Sequence, residues 1–323
     1  MEEACGSIIR NSGRGDVLRA RAIRLASDAC NMVRLSQFKI LKETGQSGLG
    51  RELVAELEGT GIHYAIKIMD KQLLASQDKL KSAKNEQEIL RMVDHPFVQP
   101  LYCYFETETS LYAVTDYCPG GTNLGTIREM NPGNHLSEDT ARFYAAEVLI
   151  TLEYLHQLVG VVYRDLKPEN IFIKANGHIM MVDFSSAVLC TLNPYLLLDS
   201  SPSSNNLGAY KFFKCLPFSP ANICKRIFGR KSQAQSRRKS FPVFVAEPRD
   251  EGDQLIGSAM DLWTFGVFLY ELLFGQMPFD MGHDDCRYSH YNAEKDSLSF
   301  PNSPVVSEEA KDLMKTLLDP CEK

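Results

Sequence analysis

The chain has 323 residues, 44% of them hydrophobic and 24% charged, a balance that predicts a globular protein of roughly two domains. Its net charge of −6 gives no general case for nucleic-acid binding. The nine cysteines are scattered, odd in number and without a Cys-x-x-Cys pair, which favours free thiols in a reducing compartment over a disulfide scaffold.

The sequence pattern shows neither a membrane span nor a secretory signal peptide. No stretch approaches the roughly 18 apolar residues of a membrane span. The start, Met1-Glu2-Glu3, lacks the basic and apolar regions of a signal peptide. We therefore expect an intracellular protein.

The first part of the chain changes from a polar segment to strands. Residues 1–37 are polar with weak helical character over 17–33, and we expect a leader outside the main fold. Five apolar or alternating runs then indicate strands, at Phe38–Leu41, Leu53–Leu57, His63–Met69, Val98–Tyr104 and Tyr112–Thr115. With one inserted helix, they predict a small antiparallel lobe.

After Gly121 the pattern becomes helical. Apolar residues recur at helical spacing, at Ala145, Val148, Leu149, Leu152 and Leu155. Ser137 precedes this run as a helix cap, and two acidic residues follow it in the first turn. A second lobe, mainly helical, is therefore expected.

A glycine-rich run lies between the first two strands. Its letters are GQSGLG, from Gly45 to Gly50, and small residues there leave backbone N–H groups open to phosphates. On the third strand Lys67 can pair with nucleotide phosphates, and Glu86 lies on the following helix. The plain alternatives are a strand-edge lysine and a solvated helix face. Leu90, one turn after Glu86, turns that face inward and favours a Lys67–Glu86 ion pair.

The octet Tyr163–Asn170 contains several side chains suited to catalysis within eight residues. Its letters are YRDLKPEN, and Asp183-Phe184 follows thirteen positions after it. Asp165 can accept a proton from a substrate hydroxyl, and Lys167 can neutralise a migrating phosphate. Asn170 and Asp183 can hold magnesium ions that bridge phosphates. This order of groups indicates a phosphoryl-transfer enzyme.

The octet resembles the catalytic loop of eukaryotic protein kinases, and its Lys-Pro-Glu ending resembles the serine/threonine branch. Further sequence motifs resemble those of the PINOID-like group of plant AGC kinases. They lie at Ile66–Lys71, Asp94–Phe97, Cys118–Gly121, Ala141–Leu149 and Ser258–Gly266. The resemblance covers about four fifths of the chain. It implies an α+β, bilobal protein-kinase fold, with a small lobe over 38–118 and a large lobe over 119–323.

The resemblance also implies residue roles with ATP and Mg²⁺ as cofactors. Asp165 would be the catalytic base, Lys167 the phosphate-neutralising cation, and Asp261 the anchor of the catalytic loop. Asn170 and Asp183 would be the metal ligands. The ATP site would comprise Gly45, Ser47, Gly50, Ala65, Lys67, Glu86, Thr115, Asp116 and Cys118, with 116–118 as the adenine-binding segment. Thr115 is smaller than the family's usual methionine and predicts a roomier pocket.

Several positions depart from the family pattern. Ser47 stands in place of a glycine, Glu52 in place of the apolar residue that covers adenine, and Ser185 in place of glycine or aspartate. The phosphorylatable activation segment and its Ala-Pro-Glu ending are not found before Ser258, so the activation segment looks shortened. The chain also ends before the C-terminal tail of the family.

A basic insertion follows the metal-binding aspartate. Residues 187–257 are expected to form a largely disordered insertion and a degenerate activation segment. Between 200 and 246 there are nine Lys or Arg and no Asp or Glu. A solvated disordered loop is the main description. The basic stretch 211–239 is alternatively attracted to an anionic membrane surface, or directs binding to nucleic acid or entry to the nucleus.

Two functions remain open from the sequence. The first is a protein kinase that transfers the ATP γ-phosphate to Ser or Thr hydroxyls, acting in auxin-transport signalling by resemblance. The second is a catalytically impaired pseudokinase scaffold, or the product of an exon-skipped transcript. For the kinase we expect protein substrates that include membrane transporters, no nucleic-acid partner and a monomer. The expected location is cytoplasmic, peripheral at the plasma membrane, or nuclear.

Overall fold

The computed structural model describes residues 5–8, 17–27, 32–47, 50–119, 121–189, 258–279 and 298–318. They belong to two compact units. The first comprises Met1–Thr122 and Phe172–Ala187, and the second comprises Asn123–Ile171 and Val188–Lys323. The segment 172–187 therefore groups with the first unit, although the sequence placed it in the large lobe.

The first unit contains a seven-stranded antiparallel sheet of order β2-β1-β6-β7-β5-β4-β3. Its strands are β1 (Cys5–Ile8), β2 (Met32–Arg34), β3 (Phe38–Ser47), β4 (Gly50–Leu57), β5 (Ile62–Asp70), β6 (Leu101–Glu106) and β7 (Ser110–Asp116). The five strands expected from the apolar runs are all present. Gly59 and Gly61, both with positive φ, form the β4–β5 turn.

The N-terminal segment is part of this unit, so the expected leader outside the fold is wrong. Strands β1 and β2 extend the sheet beyond β6. Helix α1 (Val17–Ala26) buries Ala20 and Ile23 in one core cluster with Tyr64 and Phe105. The physical reason is that small residues of a polar-looking helix pack closely on an aromatic sheet face.

Two helices, not one, follow β5. Helix α2 (Lys71–Ser76) is capped by Asp70, whose carboxylate accepts from the amides of Gln72 and Leu73. Helix α3 (Leu80–Met92) turns Glu86, Ile89 and Leu90 inward. A short hairpin of β9 (Ile171–Ile173) and β10 (Ile179–Met181) contributes its residues from Phe172 onward to this unit.

The second unit is mainly helical. Its helices are α4 (Leu124–Met130), α5 (Glu138–Tyr154), α6 (Ser258–Phe274) and α7 (Glu308–Leu318), and β8 (Val161–Val162) pairs with β11 (Val188–Leu189). Ser137 caps α5 as predicted, since its hydroxyl accepts from the Thr140 amide at 3.3 Å.

The core of the second unit is built around α6. Phe265 and Leu272 are fully buried. A Cβ at Gly266 would lie 2.9 Å from the Leu317 side chain, so glycine permits α7 to pack closely on α6. Among the described residues, the structure contains no helix with both the length and the apolar character needed to cross a membrane.

Candidate active site

The glycine-rich hairpin joins β3 and β4 as predicted. Gly45 pairs with Glu52, and Ser47 pairs with Gly50, with register shifts after Ile40 and Glu43. A Cβ at Gly50 would lie 1.9 Å from the Ile68 carbonyl oxygen, so this position requires glycine. A Cβ at Gly45 would meet nothing within 4 Å. The hairpin backbone therefore approaches β5 closely at Gly50, whereas the space beside Gly45 is open.

Lys67 and Glu86 form the predicted ion pair. The Lys67 Nζ lies 3.2 Å from Glu86 Oε2, with side chains 44% and 10% exposed. Partial burial acts to lower the pKa of Lys67, but the carboxylates of Glu86 and Asp183 outweigh it and leave the pKa raised. Lys67 therefore keeps its positive charge across the neutral range.

Glu52 lies directly opposite Lys67 in the β4–β5 register. The residue is exposed, and its carboxylate also favours the charged form of Lys67. A carboxylate buried against the adenine ring would lose its hydration at a cost in free energy. Because Glu52 is exposed to water, most of that cost is avoided. The departure at Glu52 is thus accommodated by water and by a cross-strand cation.

Asp183 is held by its neighbours in a left-handed conformation with φ of 57°. The Ser185 hydroxyl donates to Asp183 Oδ1 at 2.6 Å, and the Ser185 amide donates to the same atom at 3.3 Å. The Phe184 amide donates to Glu86 Oε1 at 3.2 Å. Together these bonds tie Asp183 to the Lys67–Glu86 pair within one unit.

Sequence analysis marked Ser185 only as a departure from the family pattern and assigned it no role. Its hydroxyl orients the Asp183 carboxylate, and its carbonyl accepts from Ser82 on α3. A serine after Asp-Phe was the available signal, because a short hydroxyl side chain readily bonds a carboxylate two residues away.

The adenine-binding segment predicted at 116–118 begins at Asp116, the last residue of β7. Thr115 is 6% exposed, and its hydroxyl accepts from Gln99 Nε2 at 3.1 Å. The Asp116 carboxylate accepts from the buried Tyr102 hydroxyl. Burial raises the pKa of the Cys118 thiol to about 11, with Asp116 adding to the rise. Ala65 is buried on β5 and pairs with Thr115 across the sheet.

Three residues of the octet meet within the second unit. Lys167 Nζ lies 2.7 Å from Asp165 Oδ2 and 3.0 Å from Asp165 Oδ1. Asn170 Nδ2 donates to Asp165 Oδ2 at 2.8 Å and to the Asp165 carbonyl at 3.0 Å. A carboxylate with a fixed orientation and an adjacent ammonium is suited to proton acceptance beside a migrating phosphate.

Asp261 anchors this loop, as the resemblance implied. Its carboxylate is fully buried and accepts from the amides of Tyr163 and Arg164, both at 2.8 Å. His156 Nε2 lies 2.7 Å from Asp261 Oδ2. Arg164 has a φ of 67°, a conformation that costs energy for a non-glycine residue and that these bonds hold. Sequence reasoning missed His156, since nothing local marks a partner 105 residues away.

The predicted magnesium ligands fit the ion chemically. Asn170 belongs to the second unit and Asp183 to the first. The amide nitrogen of Asn170 is directed at Asp165, which leaves its carbonyl oxygen as the atom suited to a hard cation. Among the described residues, no cluster of three or more His, Cys, Asp or Glu side chains could hold a metal.

The activation segment and the basic stretch 211–239 lie outside the described residues. In the described part, Cys103 and Cys118 are free thiols, as expected of a scattered cysteine set.

Comparisons with known proteins agree with this geometry. The protein kinase domain model matches residues 38–200 and 231–323. A serine/threonine-protein kinase of Arabidopsis thaliana is 38% identical over 98% of this chain and 69% of its own length. Protein kinase PVPK-1 of Phaseolus vulgaris is 36% identical over 97% of this chain and 57% of its own length.

A further relative is serine/threonine-protein kinase AGC1-5 of Arabidopsis thaliana, 40% identical over 94% of this chain and 56% of its own length. The chain thus spans between half and about two thirds of the length of these curated relatives. The family fold, the Asp165 network and the Lys67–Glu86 pair lead to one conclusion: the chain belongs to the protein kinase family, as a serine/threonine protein kinase of the plant AGC type.

Proposed function

We propose that this chain transfers the γ-phosphate of Mg·ATP to Ser or Thr hydroxyls of protein substrates. The observation that carries this function is the Asp165–Lys167–Asn170 network, in a loop whose Tyr163 and Arg164 amides donate to buried Asp261. Protein kinases generally use ATP and Mg²⁺. The Lys67 ammonium suits the ATP phosphates, and the side-chain oxygens of Asn170 and Asp183 suit Mg²⁺.

The chemistry follows from the positions of the charged groups. The substrate hydroxyl oxygen bonds the γ-phosphorus while its proton passes to Asp165, and the bond to the oxygen that leaves with ADP breaks. Lys167, held by Asp165 at 2.7 Å, neutralises charge on the phosphoryl oxygens. When bound, Mg²⁺ neutralises the phosphates further.

Nucleotide binding is assigned to the first unit. The backbone N–H groups of the β3–β4 hairpin suit the phosphates, and Lys67 keeps the charge needed to bind them. The 116–118 segment offers backbone groups to the base. Thr115 leaves more room behind the base than methionine would, so Thr115→Met should weaken binding of bulky-substituted purine inhibitors.

The pseudokinase alternative has no support from these comparisons, since the relatives are named as protein kinases. The polar residues expected in catalysis are also engaged in mutual contacts within their own units. An exon-skipped origin would concern the segment before Ser258, which lies outside the described residues.

A test should identify the acceptor as well as the reaction. The purified chain would be incubated with labelled ATP, Mg²⁺ and matched peptides that differ only in a Ser, Thr or Tyr acceptor. We expect label on Ser and Thr peptides and its loss when EDTA removes Mg²⁺. Label on the Tyr peptide alone, or label that survives EDTA, would contradict the assignment.

We also propose that the substrates include membrane transporters and that the chain acts at the cytoplasmic face of the plasma membrane, in auxin transport. The resemblance to the PINOID-like group supports this role. The stretch 211–239 supplies the Lys and Arg residues for an anionic surface, at about 1 kcal/mol each.

Liposome flotation measures this membrane attraction. Vesicles with about 30% anionic lipid should carry the chain to the top of the gradient, whereas neutral vesicles should not. Replacing the basic residues of 211–239 by Gln should abolish flotation. Equal flotation of the wild type and the Gln variant would exclude the basic stretch as the membrane contact.

A further inference from the structure

Arg19 on helix α1 lies against the segment predicted to bind adenine. Its Nε donates to the His63 carbonyl oxygen at 2.8 Å, and its Nη2 donates to the Tyr117 carbonyl oxygen at 3.3 Å. Its Nη1 lies 3.7 Å from Asp116 Oδ1, with side chains 18% and 10% exposed. One guanidinium therefore joins the start of β5 to the end of β7.

Helix α1 is itself fixed in place, which makes Arg19 a rigid contact. Ala20 and Ile23 are buried against the sheet at 2% and 1% exposure. The Tyr64 hydroxyl donates to the Arg19 carbonyl oxygen at 2.9 Å. At the other end of the helix, Gln37 Nε2 donates to the Ala26 carbonyl oxygen at 3.1 Å. The helix cannot slide along the sheet without breaking these bonds.

The contact between Arg19 and the Tyr117 carbonyl fixes the orientation of the Tyr117–Cys118 peptide plane. This plane carries an N–H group that can bind a purine base. In a trans peptide the C=O of one residue and the N–H of the next point in opposite directions. Because the Tyr117 carbonyl faces Arg19 on α1, the Cys118 N–H of the same plane points away from the helix. A purine ring nitrogen is an acceptor that such a directed N–H can serve.

Charge around this plane supports the same role. The Asp116 Oδ1 atom accepts from the Tyr102 hydroxyl and lies 3.7 Å from Arg19 Nη1. The cation thus balances a nearly buried carboxylate next to the base-binding backbone.

On the basis that the chain binds ATP as proposed above, we propose that Arg19 is a positioning residue that orients the Tyr117–Cys118 peptide plane for the base. The N-terminal segment then becomes a determinant of nucleotide affinity. Chemistry at Asp165 is unaffected, because Arg19 acts only on the nucleotide-binding backbone.

The experiment compares Arg19→Ala with Arg21→Ala in the full chain. Arg21 is exposed on the same helix, so its variant loses the same charge and gains the same helix propensity. Titration with ATP and with adenosine would give Kd values, and steady-state kinetics would give kcat and KM. We expect Arg19→Ala to weaken both ligands about fivefold or more, with kcat nearly unchanged, and Arg21→Ala to match the wild type.

A second readout does not depend on nucleotide binding. In NMR spectra of the ligand-free chain, the Tyr117 carbonyl ¹³C chemical shift should move in Arg19→Ala and stay in place in Arg21→Ala, because Arg19 donates to that carbonyl oxygen. If Arg19→Ala does not fold, Arg19→Lys and Arg21→Lys replace the pair, because lysine keeps the charge but lacks the planar fork with which Arg19 reaches two carbonyls. Only Arg19→Lys should then show weaker binding and a moved Tyr117 carbonyl signal.

The outcomes separate the two claims. A wild-type chain that binds neither ATP nor adenosine would contradict the proposed function, while the Tyr117 carbonyl shift would still decide the role of Arg19. Equal nucleotide affinity and an equal Tyr117 carbonyl shift in the position-19 and position-21 variants would overturn the positioning role. A loss of kcat in Arg19→Ala without a change in affinity would also overturn it.

Discussion

At the scale of single residues, Ser185 shows how one hydroxyl orients a neighbouring carboxylate, that of Asp183. Asp183 has a positive φ, and Ser185 donates twice to one of its carboxylate oxygens. A carboxylate that is already oriented loses less entropy when it binds Mg²⁺. On the proposed role of Asp183 as a magnesium ligand, the residue after Asp-Phe belongs to the metal site.

This role of Ser185 can be measured directly. Ser185→Ala should raise the Mg²⁺ concentration needed for half-maximal activity by about three- to tenfold, since a hydrogen bond to a charged group is lost. Ser185→Thr keeps the hydroxyl and should stay close to the wild type. An alanine variant with an unchanged Mg²⁺ requirement would show that Asp183 is oriented by other contacts.

At the scale of elements, the β3–β4 hairpin depends on the close approach of β5. Gly50 has no room for a Cβ beside the Ile68 carbonyl, whereas Gly45 is open. Gly50→Ala should displace β4, raise the KM for ATP several-fold and lower the melting temperature. Gly45→Ala is the matched control with little effect on either quantity. Equal behaviour of the two variants would contradict the strand geometry at Gly50.

The catalytic loop is an element that depends on one buried carboxylate. Asp261 is fully buried and binds two backbone amides of the loop. Asp261→Asn replaces one acceptor oxygen by a donor, which should cost about 2–4 kcal/mol of unfolding free energy. Chemical denaturation would measure that loss, and kcat should fall with it because Arg164 is released. A variant with wild-type stability and kcat would exclude the anchoring role.

At the scale of the whole molecule, the sequence predicted most of what depends on local pattern. The five strands, the Ser137 cap and the Lys67–Glu86 pair each follow from spacing along one or two neighbouring elements. The chemistry of the octet follows from residue types that few other sites combine. Because these features depend on residues close together in the chain, they can be predicted from the sequence alone.

Other features depend on distant contacts and were not predictable in this way. Helix α1 was taken as a leader because its buried face consists of small residues, such as Ala20 and Ala22, among arginines. Its burial is decided by aromatic partners on the sheet, including Tyr64 and Tyr102. His156 reaches Asp261 across 105 residues, and Arg19 reaches Tyr117 across 98. Such pairs are set by packing, and no local pattern marks them.

The central claim is that the Asp165 network transfers phosphate, and a single-turnover experiment tests it most directly. Wild type and Asp165→Asn would each be mixed in excess with Mg·ATP and a Ser peptide, with the ATP Kd measured on the same samples. We expect similar Kd values and a transfer rate at least roughly 100-fold slower in the variant, as for loss of a general base. Equal transfer rates in the two proteins, or no transfer by a folded wild type that binds ATP, would contradict the account.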